Sequence, residues 1–200
     1  MNTAKCMDTA TPSTRVGSRF ERNRPKALAL FAERGFAQVS LRELASHLEL
    51  TAGSLYNHCS SKEELLLEFI EEHYMALLSL FDRRHRRDTP GATLRQVIQG
   101  LVDLHDEQPL HFQLATRDAG CLKPGQRASV DRLRERLRQH LATLLRDAGH
   151  PATPGMPTLE LFEHLPLWLA GYPLDKAQRC ANLERLLTAA NPLSTPEIRP

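Results

Sequence analysis

Residues 40–62, SLRELASHLELTAGSLYNHCSSK, gather small hydroxyls, a phenol, an amide, imidazoles and two cations into one short stretch. Ser40, Thr51, Ser54, Tyr56 and Asn57 can donate and accept hydrogen bonds, and Arg42, His58 and Lys62 can donate to anions. No nucleophile elbow, glycine-rich phosphate loop or metal-ligand spacing accompanies them. The chemistry on offer is therefore recognition: hydrogen bonds to base edges and to phosphate oxygens. A catalytic reading would need a Cys–His pair drawn from nine histidines and four cysteines, and its sign would be an activity abolished by replacing Cys121 or Cys59.

Two short helices must position these groups. Ser40 stands three residues before Glu43, with Leu41, Leu44, Ala45 and Leu48 at helical spacing behind it, which makes a capping box opening an amphipathic helix. Residues 49–51 make the turn, and Thr51 caps a second helix over 52–58 with Leu55 inward and Ala52, Ser54, Tyr56, Asn57 and His58 outward. Small residues at Ala52, Gly53 and Ser54 let the amide-rich helix start approach a phosphate backbone. Ser60 with Glu63 and Ser61 with Glu64 offer two caps for a long third helix. Lys62 falls in its first turn, where the macrodipole disfavours a cation, so either an outside phosphate or plain solvent holds it.

Residues 27–69 resemble the DNA-binding domain of the tetracycline-repressor-like (TetR) family. The resemblance is carried by Ala27, Phe31, Gly35, Phe36, Ser40, Leu44, Ala45, Leu50, Thr51, Gly53, Ser54, Leu55, Tyr56, His58, Ser61, Lys62, Glu63 and Leu65. It implies an N-terminal three-helix helix-turn-helix domain that places one short helix in the major groove. It also implies a helical body with a pocket whose ligand changes the spacing of two heads. Three departures stand out. Glu49 occupies a turn position where glycine is usual, and if that position needs positive φ a glutamate is strained there. Cys59 replaces a usual Phe. Asn23, as a cap followed by Pro25 in the first turn, predicts a short first helix.

Charge follows the same division. Residues 1–62 hold nine Lys or Arg against five Asp or Glu, whereas the rest hold seventeen against nineteen. A basic head on a mildly acidic body suits phosphate binding, although chance clustering produces the same asymmetry. Cys6, Cys59, Cys121 and Cys180 form no CxxC pair, which argues against a zinc site or a disulfide scaffold and for reduced thiols in a cytoplasmic protein, one of them open to a redox-sensing role. No apolar run reaches membrane-spanning length and no signal-peptide core opens the chain. Residues 1–18 read as a flexible tail, and Arg15, Arg19 and Arg22 can reach phosphates or remain solvated.

Beyond the head the pattern is helical throughout, so the fold class is all-α: the helix-turn-helix domain plus a C-terminal helical ligand-binding and dimerisation domain. The units are 19–62 (reaching to about 69), 63–190 and a loose tail at 191–200. Helices are expected over 61–87, 93–106, 109–118, 126–148, 158–171 and 174–190, with Pro90-Gly91 as a break and 151–157 as a loop. Arg83, Arg84, His85, Arg86 and Arg87 end the first of these, as a solvated helix terminus or as a nucleic-acid patch.

Function follows as an expectation. Thr51, Ala52, Ser54 and Asn57 would lie near base edges, and Ser40, Tyr56, His58 and Lys62 on phosphates, with Arg42 able to reach either. Each has a solvated-surface alternative, and Tyr56 a core one. Lys62→Ala is expected to weaken binding to all sequences and Asn57→Ala to re-rank operator variants. The last two helices carry apolar residues on most sides, so Leu161, Leu165, Trp168, Leu169, Leu183, Leu186 and Leu187 are candidates for a homodimer interface, or else for burial within one subunit. Tyr74, Phe81, His105, His111, Phe112, Arg117 and Trp168 are candidates to line an effector pocket, with plain core as the alternative and His105 and His111 then exposed. Pro166 would kink its helix near Phe162, opening such room or merely adjusting packing. The expected protein is no enzyme and needs no cofactor or metal. It is a dimeric repressor on a double-stranded, pseudo-palindromic operator, released by a small molecule. The alternative is a constitutive or protein-regulated repressor.

Overall fold

A computed structural model describes residues 19–82, 89–150 and 158–189. Arg15, the cluster at 83–87, the loop at 151–157 and the tails at 1–18 and 191–200 lie outside the described residues. Among those described every regular element is helical. The head contains α1 (Arg19–Arg34), a 3-10 turn (Phe36–Gln38), α2 (Leu41–His47) and α3 (Ala52–Tyr56). The body follows with α4 (Lys62–Asp82), α5 (Pro90–Glu107), α6 (Pro109–Arg117), a second 3-10 turn (Ala119–Cys121), α7 (Pro124–Asp147), α8 (Thr158–Ala170) and α9 (Lys176–Ala189). No helix of the described residues is long and apolar enough to cross a membrane.

The first helix is longer than the sequence suggests. Asn23 does not cap it: its Nδ2 donates to the Leu48 carbonyl at 2.8 Å, and the helix starts at Arg19. Pro25 lies inside, where it cannot donate to the preceding turn. Tertiary anchoring outweighs that loss, because Phe20 before the proline and Ala27, Leu28 and Phe31 after it are all buried. Pro90-Gly91 is likewise no break. Pro90 takes the first position of α5 and Thr89 Oγ1 accepts from the Ala92 amide at 3.3 Å.

α4 links head and body. Its Phe69 stacks edge-on against Phe31 of α1 at 6.5 Å, while Tyr74, Leu77 and Phe81 enter the body core and pack toward α5, α6 and α7. Arg24 of α1 lies 4.5 Å over the Phe69 ring and donates to Glu68 and Glu72 of α4 at 3.0 and 2.9 Å. α8 and α9 pack on each other, and α9 also on α5. Leu165, Leu183 and Leu187 belong to this subunit's own core, at 4%, 0% and 2% exposure, so they are not free for a second copy as the apolar pattern suggested. Leu161 and Leu169 are partly exposed, whereas Trp168, Tyr172 and Leu186 stand well out.

Candidate nucleic-acid interface and body cavity

α2 begins as its sequence dictates. Ser40 Oγ accepts from the Glu43 amide at 3.2 Å, and Glu43 Oε2 accepts from the Ser40 amide at 3.2 Å. Those bonds, helped by Arg34, hold the Glu43 carboxyl below its usual range. The Ser40 hydroxyl also donates to Glu43, so it is engaged in the cap rather than presented as a free phosphate donor. Arg42 is exposed beside it with no ion-pair partner among the described residues.

The turn between α2 and α3 is a Schellman motif. The Leu50 amide donates to Ala45 O at 2.9 Å and the Glu49 amide to Ser46 O at 3.0 Å. Its left-handed residue is Glu49, with φ 56, the position where glycine would be unstrained. Gly149 fills the equivalent place after α7 with φ 83. Glu49 is held there by Arg19 at 3.1 Å and Lys26 at 2.9 Å, which keep its carboxyl below the usual range.

α3 is five residues rather than seven: Asn57 is its C-cap, and His58 closes a turn onto Leu55 O at 2.9 Å. Thr51 Oγ1 accepts from the Ser54 amide at 3.0 Å, which leaves the hydroxyl proton free to donate outward. Leu55 is fully buried and pins the helix; Ala52 packs partly on the core and Ser54 is half-buried. Tyr56, Asn57 and His58 are exposed. A Cβ built on Gly53 would meet nothing within 4 Å, so the fold does not demand glycine there, and its absence of a side chain leaves a bare outward surface. His58 is not loose: its ring lies 4.7 Å from that of Phe20 and nearly parallel, tying the end of α3 to α1.

Lys62 departs from the expected phosphate contact. Its Nζ donates to Phe36 O at 3.1 Å and Val39 O at 2.8 Å and sits 4.3 Å from the Phe36 ring centroid. A first-turn lysine did require acceptors, but they are internal carbonyls. Cys59 is buried, and burial together with Glu64 and Glu68 pushes its thiol up to about 11, which removes it as a thiolate sensor at neutral pH.

The body holds a cavity of about 360 Å³ between α4, α6, α7 and α8. Ala115, Thr116, Ala119, Gly120 and Leu122 form one wall, Arg127, Val130, Asp131 and Arg134 of α7 another, and Tyr74, Glu163 and His164 complete it. Glu163, 3% exposed, receives both Arg134 Nε at 2.9 Å and Nη2 at 2.7 Å. That pair holds the Arg134 guanidinium above its ordinary range, while burial and then Glu163 push the Tyr74 phenol well up. Of the residues expected to line a pocket, only Tyr74 does so. Phe81 and Phe112 are core, Trp168 is 55% exposed, and His105, far from being exposed, is 4% exposed with neither ring nitrogen hydrogen-bonded. His111 is half-buried near Glu72 at 3.9 Å.

Arg117 has a different job. It donates to Ala32 O at 2.8 Å and Phe31 O at 2.7 Å, the closing carbonyls of α1, and Asp118 braces it at 2.8 Å. Gln113 adds a bond to Ala32 O at 3.1 Å. α6 thus presents Gln113 and Arg117 to the head and Ala115 and Thr116 to the cavity.

Residues 26–69 match the family model described as "Bacterial regulatory proteins, tetR family". The head of this chain is similar to that of TetR-family regulators. Regulators of this family bind DNA and are not enzymes. Over most of its length the chain also resembles solved structures in fold. The TetR-family regulator PfmR from Thermus thermophilus is 22% identical, with a TM-score of 0.68 over 83% of this chain and 97% of that one. AibR, solved in complex with isovaleryl coenzyme A and operator DNA, is 19% identical, with a TM-score of 0.70 over 85% and 98%. A tetR-family regulatory protein from Rhodococcus RHA1 is 17% identical, with a TM-score of 0.71 over 87% and 95%.

The sequence reading missed Arg134 and Glu163. A carboxylate between Phe162 and Leu165, on the apolar side of a helix, was the available signal. Nothing near Arg117 in the sequence pointed to α1, eighty-five residues away.

Proposed function

We propose that this chain is a TetR-family regulator, a dimeric repressor whose paired α3 helices read a pseudo-palindromic operator, and that a small molecule in the body cavity releases it. The observation that carries the reading is the face of α3. One residue, Leu55, is consumed by the core, while Thr51, Tyr56 and Asn57 point away from it beside the bare Gly53. Thr51, Ala52, Ser54 and Asn57 are assigned to base edges, and Tyr56, His58 and Arg42 to phosphates, with Ser40 joining them only if Glu43 yields its cap. The units of this reading are the head at 19–62, reaching to about 69, and the body at 63–190.

Dimerisation is supported by Trp168, Tyr172 and Leu186, flanked by Leu161 and Leu169, which leave large apolar surface uncovered on α8, on α9 and in the turn between them. Effector release is supported by the cavity, by the Arg117 and Gln113 grip on α1, and by AibR, which was solved with both a coenzyme A thioester and operator DNA. A cytoplasmic location goes with operator binding.

The test is selection of bound duplexes from the source genome, followed by titration against wild type and Asn57→Ala at several salt concentrations. A re-ranking of operator variants by Asn57→Ala supports the assignment. Unchanged preference and no salt dependence would remove it. Compounds that raise the melting temperature are then tested for release of the selected operator.

A further inference from the structure

Lys62 opens α4, where unpaired backbone amides repel a cation. Its acceptors are the carbonyls of Phe36 and Val39, at 3.1 and 2.8 Å. Phe36 begins the 3-10 turn and Val39 ends it, and the next residue, Ser40, caps α2. The ammonium also sits over the Phe36 ring, which is 3% exposed and braced edge-on by Phe31 at 5.2 Å. Both ends of the contact are therefore fixed by the core. Between them the chain makes α2, the strained turn at Glu49, α3 and the descent through Cys59, and it returns to Lys62. The bond from Nζ to Val39 O closes that excursion of 23 residues into a ring.

We propose that Lys62 is a positioning residue for operator reading: a latch that joins the first residue of α4 to the start of α2 and so sets the angle at which α2 and α3 meet the duplex, instead of contacting phosphate. The inference rests on the operator-binding reading above. Two of the three ammonium protons are engaged before any DNA arrives. Breaking them would take the lysine donor from the Val39 carbonyl, leave Phe36 O only the Val39 amide at 3.3 Å, and free the helix pair to tilt, so the latch is worth more than an exposed ion pair.

The two roles separate in salt. A lysine that neutralises a phosphate releases counterions and contributes roughly 0.9 to the slope of log K against log salt, whereas a latch contributes nothing. Lys62→Met keeps the stem and deletes the donors. It should weaken operator binding about tenfold at every salt concentration with the slope unchanged. Lys62→Gln restores one neutral donor and should recover part of that loss, again at the wild-type slope. A slope shallower by roughly 0.9 in both variants would overturn the latch in favour of a phosphate contact. A DNA-free measurement guards against variants that bind poorly for other reasons. Amide exchange at residues 35–41 should quicken in Lys62→Met while α5 to α7 stay as protected as in wild type, and unchanged exchange at 35–41 would equally overturn the proposal. If wild type bound no duplex, the operator reading would fall and the exchange result would still judge the latch.

Discussion

Acidification should destabilise this protein through a specific imidazole. His73 lies on α4 with 1% exposure, its Nδ1 without a hydrogen-bond partner, and the Phe112 ring edge-on at 4.5 Å. Burial pushes it down to about 3, and neighbouring His111 and His105 push the same way. The folded chain therefore keeps this ring neutral while the unfolded chain protonates it below the ordinary value of 6.5. Stability is full above 6.5, falls as the pH drops through that value, and stops falling near 3. At pH 5 the gap of 1.5 units corresponds to about 2 kcal/mol from His73 alone. His105 and His111, both lowered first by burial, add loss of the same sign. Urea unfolding at pH 7 and pH 5 measures it, with His73→Phe as the comparison. The variant should lose about 2 kcal/mol less than wild type between the two conditions. Equal losses would mean that His73 is not the neutral buried group described, and the packing argument around Phe112 would fail with it.

Other outcomes follow from the same contacts. Leu55→Ala removes the sole fully buried side chain of α3 and should lower stability by about 3 kcal/mol in urea unfolding, with operator binding lost near the weakened midpoint. Arg134→Met leaves Glu163 buried without its bidentate partner and should cost about 3 kcal/mol, most of which Glu163→Leu in the same chain should restore. Trp168→Ala with Tyr172→Ala should shift sedimentation toward monomer without lowering the melting temperature of the monomer, since both side chains are more than half exposed. Arg117→Met should destabilise by about 2 kcal/mol by removing two donors from the end of α1 and the partner of buried Asp118, and should blunt any effector's influence on DNA binding.

What could be read from the residues alone was whatever depends on near neighbours. The Ser40 and Glu43 box, the Thr51 cap, the inward Leu55 and the suspicion about Glu49 all involve partners within a few positions, and each has the geometry its local chemistry demands. The long apolar faces of α4 and α7 follow from helical period in the same way. What was misread depends on distant partners. Asn23 is an excellent cap in isolation, yet Leu48 O lies within reach only once the head has folded. Lys62 needed acceptors, and local reasoning placed them on DNA because Phe36 and Val39 are over twenty residues away. The buried aromatics and histidines were hard to sort for the same reason. A ring on an apolar stripe looks alike whether it lines a void or fills one, and the void here is walled mostly by Arg, Asp, Thr and small residues.

The placement of α6 has a mechanical corollary. A single nine-residue rod borders the hollow on one side and clasps the tip of α1 on the other, through three donors at 2.7, 2.8 and 3.1 Å. Hydrogen bonds weaken steeply once stretched by half an ångström or so. A guest wide enough to shove that rod would stretch all three together, because a helix translates as one body. The output would then be a snap between clasped and unclasped, with little in between.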